Sequence, residues 1–305
     1  MRFSGDWRRD LAGMIDEARG LLREASESGG EGSRPLEVIG VSAPGPVDLR
    51  TGTLRNPPNL PGWRDVPLVE VLSETFSVPV RIENDANAAA LAEHRFGAGR
   101  GATDIVFLTM STGIGGGILC GGRLVRGARG FAGELGHVPV VPSGRRCHCG
   151  LRGCLEAYVG GQGWAERLRR VVPRSGRIFE LASGDRSKIG PEVLLAAARE
   201  GDTLALSELS RWLDLLAAGL VPVVMAFDPE RIVLGTIAVA AGEALCFGPL
   251  RERLATRLWP HQAESLEIVP ALLGDALPEQ AALAVAGAGD PAVGTDRVRA
   301  AATMR

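Results

Sequence analysis

The chain has almost no net charge, and this lack excludes several classes of protein. Its 305 residues carry 34 basic and 36 acidic side chains, which leaves a formal net charge of −2. General binding to nucleic acids or to anionic membrane surfaces requires a basic excess or a basic patch. With 45% hydrophobic and 23% charged residues, the composition is that of an ordinary soluble globular protein. The length predicts two domains.

The sequence also has no segment typical of export or membrane insertion. Its first twenty residues, MRFSGDWRRDLAGMIDEARG, contain no apolar stretch of the signal-peptide type. The longest apolar run, LLAAGLVPVVMAF at 215–227, is too short to span a bilayer and contains Pro222. The five cysteines are an odd number and do not resemble the disulfide framework of a secreted protein. We therefore expect a cytoplasmic protein.

The spacing of apolar residues predicts helices and strands that alternate along most of the chain. Helices are expected over 11–26, 84–97, 155–171, 190–200, 203–226 and 242–258, and again from 278. Strands are expected over 36–43, 78–83 and 104–110, at the start of 231–238, and in LEIVPA, with a β-hairpin in DIVFLTMSTGIGGGILCGGRLV. This mixture predicts the α/β class. We expect a small domain at 1–105, a large domain at 106–289, and a C-terminal helix at about 290–305 that packs on the first.

Polar residues with catalytic or binding chemistry lie near the ends of these elements. Asn84 and Asp85 end a predicted strand and begin a predicted helix, which is where α/β proteins place ligand contacts. Glu134, His137 and Glu156 lie near glycine turns. Carboxylates, amides and imidazole together suit the hydroxyls of a sugar, and one carboxylate beside a hydroxyl can act as a general base. The alternative for each acid is a solvated surface group, or in the case of Asp85 a charge that stabilises a helix N-terminus.

Three of the five cysteines, Cys147, Cys149 and Cys154, lie within the eight residues CHCGLRGC. A structural zinc site uses four thiolate or imidazole ligands in a tetrahedron, and His137 can complete the set through the turn PSGRR. Four protein ligands leave no position for water, so we expect the zinc to stabilise the loop rather than to do chemistry. The alternative, reduced thiols packed as small apolar groups, suits the two isolated cysteines better.

The glycine-rich stretch STGIGGG at 111–117 has two possible explanations. Its backbone N–H groups could bind phosphate, as glycine-rich turns do. A hairpin that requires positive φ angles would account for the glycines equally well. The stretch is not a Walker loop, because no Gly-Lys-Ser/Thr follows, and it does not match the dinucleotide-binding fingerprint.

Six segments in a fixed order resemble the ROK family of bacterial sugar kinases and sugar-responsive repressors. They are GVSAPGPVD, ENDANAAALAEHRFGAG, STGIGGGI, GARGFAGELGH, CHCGLRGCLEAY and ERIVLG. The resemblance runs from about Leu36 to the C-terminal helix. It implies an actin-like, ribonuclease-H-like fold of two α/β domains, with sugar and ATP in the cleft between them. It also implies a glucokinase-like reaction, in which ATP with Mg²⁺ phosphorylates a hexose, glucose first of all, and it implies a homo-oligomer, a dimer or tetramer.

The resemblance gives each matching residue a role. Asp85 would be the base that takes the proton from the 6-hydroxyl of the sugar. The implied sugar contacts are Gly45, Asn84, Asp85, Glu134, His137 and Glu156. The implied zinc ligands are His137, Cys147, Cys149 and Cys154, and the implied ATP contacts are Thr112, Gly113 and Gly235.

Two features depart from the family pattern. The D-x-G-G-T turn that holds the ATP phosphates in the family's kinases does not occur in this sequence, so we expect a first domain without its leading strands. Gly235-Thr236-Ile237 stands where the kinases carry two or three glycines, and a β-branched residue there could crowd a nucleotide. These departures support a second hypothesis, a sugar-binding homologue without kinase activity. A repressor is not expected, because the residues before the first predicted strand contain one convincing helix, too little for a helix-turn-helix.

Overall fold

The computed structural model describes residues 3–27 and 35–288, so the helix expected at about 290–305 lies outside the described residues. The chain divides into two compact units, Met1–Ala88 with Pro278–Arg305, and Ala89–Leu277. The described helices are α1 (Trp7–Glu27), α2 (Leu68–Phe76), α3 (Asp85–Phe96), α4 (Glu156–Val159), α5 (Gly161–Val171), α6 (Arg177–Leu181), α7 (Pro191–Arg199), α8 (Thr203–Phe227), α9 (Ile237–Gly242), α10 (Gly248–Ala255), α11 (Pro260–Ser265) and α12 (Leu277–Ala286). The described strands are β1 (Ile39–Ala43), β2 (Val47–Asp48), β3 (Thr53–Leu54), β4 (Val80–Asn84), β5 (Ile105–Met110), β6 (Ile114–Cys120), β7 (Arg123–Leu124), β8 (Arg231–Leu234) and β9 (Glu267–Pro270).

In the first unit, β1 and β4 form a parallel pair in the register Ile39↔Val80 to Ala43↔Asn84. Apolar side chains from α1, β3, β4 and the intervening loop, among them Leu54, Trp63 and Val80, form one buried cluster beside this pair. A crossover between parallel strands requires a long connection, and here it includes the short β2–β3 hairpin and α2. The pairing brings the carboxyl ends of β1 and β4 side by side, so that the residues following each strand lie at one edge.

Helix α12 packs against β1 through a glycine. A Cβ on Gly40 would lie 2.0 Å from the carbonyl oxygen of Ala282 and 2.6 Å from the backbone nitrogen of Ala286. These distances are too short for any side chain, so the backbones of the strand and the helix make direct contact at this position. Glycine at 40 is therefore required by packing rather than by its φ angle.

The second unit is built on a five-stranded sheet of order β7-β6-β5-β8-β9. Strand β5 pairs antiparallel with β6 from Ile105↔Leu119 to Met110↔Ile114, which confirms the predicted hairpin. On its other side β5 pairs parallel with β8, and β8 pairs parallel with β9. Strands β5 and β8 are central, and their apolar runs IVFL and IVL are almost completely buried, as expected for strands covered on both faces.

The order of the strands reverses between β5 and β8. The chain leaves the carboxyl end of β5 toward β6 on one side, and it leaves the carboxyl end of β8 toward β9 on the other. Such a switch point opens a crevice at the carboxyl ends of the two strands, and ligands of α/β proteins bind in crevices of this kind.

Helix α8 forms much of the core beside this sheet. Its length and hydropathy would allow it to cross a membrane, but half of its most apolar stretch is buried inside the protein. Trp212 on this helix stacks on Trp164 of α5, with ring centroids 5.2 Å apart and an interplanar angle of 25°. The Trp212 indole N–H donates to the carbonyl oxygen of Val159 at 2.9 Å. Helices α4, α5 and α8 are thereby held together.

Two regions that were each predicted as one uninterrupted helix contain a break in the structure. The region 155–171 is two helices, because Gly160 between them has an extended conformation with φ −61° and ψ 146°. The helix predicted at 242–258 is one turn of π-helix at Glu243–Phe247 followed by α10, and a separate helix, α9, already begins at Ile237. Gly242, with φ +76°, ends α9, because a residue in that conformation cannot continue a right-handed helix.

Candidate functional site

Asn84 and Asp85 lie at the carboxyl end of β4, where α3 begins. The Asn84 side-chain oxygen accepts the backbone N–H groups of Ala86 at 3.0 Å and Asn87 at 3.4 Å, so Asn84 caps the helix. The Asp85 carboxylate accepts the N–H of Ala86 at 2.8 Å through one oxygen, Oδ1. The capping role considered for Asp85 is thus taken largely by Asn84. The second carboxylate oxygen of Asp85, Oδ2, is the one that we assign to a ligand.

Asp85 combines access to solvent with a perturbed pKa. Its side chain is exposed, yet surrounding protein atoms displace enough water that desolvation raises the pKa above its ordinary value. The hydrogen bonds from Ala86 and Asn84 act in the opposite direction and leave the net shift upward. A carboxylate whose pKa is raised toward the working pH is a better general base than an ordinary surface aspartate.

A buried carboxylate that sequence reasoning missed supports this pair. Glu83 is 1% exposed, and its Oε1 accepts the backbone N–H of Asn84 and the side-chain amide of Asn87, both at 3.0 Å. Gly45, at the end of the neighbouring strand, lies against Asn84, because a Cβ on it would be 3.1 Å from the Asn84 Nδ2. The structure therefore brings Gly45, Asn84 and Asp85 together in the first unit. In the sequence, the contact could have been inferred from the spacing of Glu83 and Asn87, because residues four positions apart can meet at the start of a helix.

The four predicted metal ligands come together in the second unit. One ligand atom from each of His137, Cys147, Cys149 and Cys154 lies within 4.8 Å of the others. The Cys149 and Cys154 sulfurs are 3.7 Å apart, and the Cys147 sulfur is 3.8 Å from the His137 Nδ1. Tetrahedral zinc with Zn–S bonds of about 2.3 Å places its ligand atoms about 3.8 Å apart. The donor set and its spacing therefore fit a structural Zn²⁺ site.

The Cys147 thiol must lose its proton to bind a cation. Cys147 is buried, and this burial raises the pKa of its thiol to about 12. A thiol of that kind becomes a thiolate when a cation is bound, since metal binding releases the proton. All five cysteines of the chain are free of disulfides.

The ring of His137 faces both the cluster and a carboxylate. Its Nδ1 points to the Cys147 sulfur, and its Nε2 lies 3.7 Å from the Glu134 Oε2. This distance is longer than a hydrogen bond, so the two groups are neighbours without a direct bond. A carboxylate on the second ring nitrogen is the usual partner of a metal-bound histidine, where it fixes the ring orientation. Glu134 is more than half exposed and keeps acceptor capacity for another ligand.

Glu156 connects the metal-ligand loop to the glycine-rich turn. Its Oε2 accepts the backbone N–H of Ile114 at 2.9 Å, and its Oε1 lies 3.5 Å from the Cys147 sulfur. Two backbone hydrogen bonds also join the turn to the start of α5. The carbonyl of Ser111 accepts the N–H of Gly161 at 2.8 Å, and the carbonyl of Thr112 accepts the N–H of Gln162 at 2.9 Å. Glu134, His137, Glu156 and the turn that contains Thr112 and Gly113 are therefore joined in one network within the second unit.

Positive φ does not explain the glycines of STGIGGG, and close approach of other atoms explains two of them, Gly113 and Gly116. Gly113, Gly115, Gly116 and Gly117 keep φ angles outside the positive range, so the hairpin explanation offered above is wrong. A Cβ on Gly113 would lie 2.5 Å from the Glu156 Oε2, and one on Gly116 would lie 2.7 Å from the carbonyl of Gly133. Position 113 requires glycine because the Glu156 carboxylate packs directly against the backbone there.

Gly113→Ala is expected to lower kcat/KM by about 10-fold or more for the hexose that the family resemblance implies. The added methyl group displaces the Glu156 carboxylate and breaks its hydrogen bond to Ile114, and a hydrogen bond to a charged group contributes about 1.5–3 kcal/mol. Steady-state kinetics measure the effect. Gly20→Ala in α1 is the matched control, because a Cβ there meets no atom within 4 Å. A G113A protein with the kinetics of the wild type would contradict the proposed contact.

Two threonine hydroxyls, which the sequence did not single out as a pair, meet at the switch point between β5 and β8. Thr109 near the end of β5 and Thr236 after β8 place their Oγ1 atoms 2.9 Å apart, with Thr236 exposed and Thr109 half-buried. Thr236 has φ +51° and ψ −103°. A positive φ at a β-branched residue is an outlier that costs on the order of 1–3 kcal/mol.

Gly235, one of the three implied ATP contacts, precedes this strained residue. Its N–H donates to the carbonyl oxygen of Leu108 at 2.8 Å, which continues the pairing of β8 with β5. A Cβ at this position would meet the same oxygen at 3.6 Å, an ordinary van der Waals distance. The surrounding protein would thus admit a side chain at 235, and glycine leaves that space open to a ligand.

A family model described as the ROK family matches residues 23–288. The glucokinase of Thermotoga maritima is 41% identical over 233 residues, which are 76% of this chain and 73% of that protein. The crystal structure of a ROK hexokinase from Thermus thermophilus aligns with a TM-score of 0.71 and 37% identity, and it covers 88% of this chain and 84% of its own. A ROK family glucokinase from Streptomyces griseus, solved in complex with glucose and AMPPNP, aligns with a TM-score of 0.68 and 33% identity, over 90% of this chain and 86% of its own.

Proposed function

The chain belongs to the ROK family, and on this premise we propose that it is an ATP-dependent hexokinase of the glucokinase type. Its fold is the actin-like, ribonuclease-H-like α/β fold of the ROK sugar kinases that it resembles in structure. The Thermotoga maritima and Streptomyces griseus relatives are glucokinases, and the latter was solved with glucose and an ATP analogue, so glucose and ATP are the first candidates for the two substrates.

The observation that carries the proposal is the Asn84–Asp85 pair at the end of β4. Asn84 caps α3, which leaves one carboxylate oxygen of Asp85 available, and desolvation by the surrounding protein raises the pKa of Asp85. In the proposed step this carboxylate takes the proton of the sugar 6-hydroxyl. The sugar oxygen forms a bond to the γ-phosphorus of ATP as the bond to the bridging oxygen breaks, and ADP leaves with that electron pair. Catalysis of such a transfer rests on positioning and on neutralising the phosphate charge.

We assign the remaining contacts by the chemistry of their groups. Gly45, Asn84, Glu134, His137 and Glu156 offer backbone, amide, carboxylate and imidazole partners to sugar hydroxyls. Thr112, Gly113 and Gly235 would bind ATP, whose phosphates bring a Mg²⁺ ion that neutralises their charge. A zinc ion held by His137, Cys147, Cys149 and Cys154 would stabilise the loop that presents His137 and Glu156.

The test is release of ADP from saturating Mg-ATP in a coupled assay with glucose, N-acetylglucosamine, N-acetylmannosamine and fructose, one at a time. Turnover with glucose is expected, and the ratio of kcat/KM among the four sugars defines the preferred hexose. Binding of the same sugars is measured by calorimetry in parallel. A folded protein that binds one of them and releases no ADP with any would overturn the kinase proposal in favour of the sugar-binding homologue without turnover.

We further propose that the protein works in the cytoplasm as a homo-oligomer, either a dimer or a tetramer. The free state of all five cysteines and the balanced net charge support the location. The dimer or tetramer is the state that the resemblance to the ROK family implies.

A further inference from the structure

We propose that the hydroxyl groups of Thr109 and Thr236 together bind a phosphate oxygen of the phosphoryl donor, and that Thr236 thereby sets the affinity for that donor. The inference rests on the proposed kinase function. It adds to the donor site two side chains that the sequence motifs did not assign, and one of them stands where the family's kinases carry glycine.

The position of the pair is the first argument. Thr109 is the last residue but one of β5 and Thr236 lies two residues after β8, at the switch point where the strand order reverses, and their hydroxyls meet in an exposed hydrogen bond. Thr109 is also two residues before Ser111, the first residue of the glycine-rich turn whose Thr112 and Gly113 we assign to ATP. A phosphate chain held by that turn would therefore lie close to the hydroxyl pair.

The backbone of Thr236 is the second argument. Its φ of +51° with ψ of −103° is a conformation for glycine, so a glycine at this position would remove the strain. The hydrogen bond that the structure gives its side chain is the one to Thr109, and an exposed bond between two neutral hydroxyls offsets little of that strain. Strained residues of this kind cluster where a ligand is bound. A partner outside the chain is thus the reason for a threonine here.

The chemistry of the pair favours an anion. When one hydroxyl donates to the other across 2.9 Å, the acceptor hydroxyl keeps its own proton for an external acceptor. Accepting from the partner polarises that second hydroxyl and strengthens the bond that it donates. A phosphate oxygen is a strong acceptor of such a bond, and bonds to ionised acceptors are about twice as strong as neutral ones.

A competing explanation, in which Thr236 only obstructs the donor, predicts the opposite change in donor affinity. If Thr236 only crowds the donor, its replacement by glycine makes room and tightens donor binding. If its hydroxyl binds the donor, the same replacement weakens binding while it relieves the strain. Stability and affinity then change in opposite directions, a combination that a purely structural residue would not produce.

The experiment measures the dissociation constant of Mg-AMPPNP by calorimetry, the KM values for ATP and glucose, and the thermal midpoint for four proteins: wild type, Thr236→Gly, Thr236→Ser and Thr109→Val. For T236G and T109V we expect the AMPPNP dissociation constant and the KM for ATP to rise about 10-fold, the loss expected for one hydrogen bond to an ion. The KM for glucose should stay within about 2-fold. T236S keeps the hydroxyl and should bind AMPPNP like the wild type. T236G should melt about 2–4 °C higher because the strain is removed.

A T236G protein that binds AMPPNP as tightly as the wild type, or more tightly, would overturn this inference and leave the kinase proposal intact. An equal loss in T236S would also overturn it, since the hydroxyl would then not be the group that binds. A wild type that neither binds AMPPNP nor releases ADP would overturn the proposed function, and this inference with it.

Discussion

Asp85→Asn is expected to lower kcat by about 10²–10⁴-fold, the range that a positioned general base contributes. Asparagine has nearly the same size and can keep the hydrogen bond from Ala86, but its amide cannot take a proton from a sugar hydroxyl. Sugar binding should therefore be largely retained, because it depends on several other groups. The measurement is kcat and KM in the ADP-release assay together with calorimetric sugar binding. Asp16→Asn on α1, an exposed aspartate of the same unit, is the matched control.

The raised pKa of Asp85 gives this prediction two further signatures. In the wild type kcat/KM should fall as the pH drops through the pKa of Asp85, which lies above its ordinary value because of desolvation by the surrounding protein. The free energy of unfolding should depend on pH in the opposite direction to that expected for a salt-bridged carboxylate, whose pKa is lowered on folding. A folded-state pKa above the unfolded one means that ionised Asp85 destabilises the fold as the pH rises through the folded pKa. D85N should therefore be at least as stable as the wild type at neutral pH. A D85N protein with full turnover would remove Asp85 from the role of base.

Cys149→Ser is expected to abolish stoichiometric zinc binding. Cys149 is exposed, so the substitution removes a metal ligand with little loss of packing, in contrast to the buried Cys147 and Cys154. Loss of an outer-shell partner alone weakens metal binding about 10–100-fold, and loss of a ligand should cost more. Because the binding energy of a structural zinc contributes to folding, we expect the free energy of unfolding to fall by several kcal/mol, on the order of 3–5. Elemental analysis and denaturant unfolding provide the two readouts.

The activity of C149S should fall together with its zinc content. Glu156 contacts Cys147 and accepts the N–H of Ile114. Loss of order in the loop 147–154 is therefore expected to disturb the glycine-rich turn that we assign to phosphate. Cys120→Ser is the matched control, because Cys120 lies in β6 and outside the four-ligand cluster. A wild type that is fully folded after chelation, with no bound metal, would contradict the structural role of zinc.

The features of the site that could be predicted from the sequence are those set by short spacing. The three cysteines lie within eight residues, and His137 is ten residues before them, so one loop can bring them together. Asn84 and Asp85 were placed correctly at a strand–helix junction because a strongly apolar strand is followed at once by a helical pattern. In both cases, local chain geometry determines where the side chains lie.

Contacts between distant parts of the chain could not be predicted in this way. The bond from Ile114 to Glu156 joins residues 42 positions apart, and the Thr109–Thr236 pair joins residues 127 apart. Each depends on strand order and register, which single-residue propensities do not encode. The positive φ of Thr236 was hidden for a further reason, since threonine is the opposite of the residue type expected for that conformation. The family pattern marked the position as unusual, and the backbone angle gives the physical reason.

The stacked indoles of Trp164 and Trp212 make the position of α5 accessible to fluorescence measurements. Trp164 lies three residues after Gly161, whose N–H holds the carbonyl of Ser111, so α5 is attached directly to the glycine-rich turn. Indole emission responds to the spacing and surroundings of the ring, and a small displacement of α5 changes both for this buried pair. We therefore expect a nucleotide that binds at this turn to change the emission of the pair, and the change is measured against the emission of the other three tryptophans of the chain.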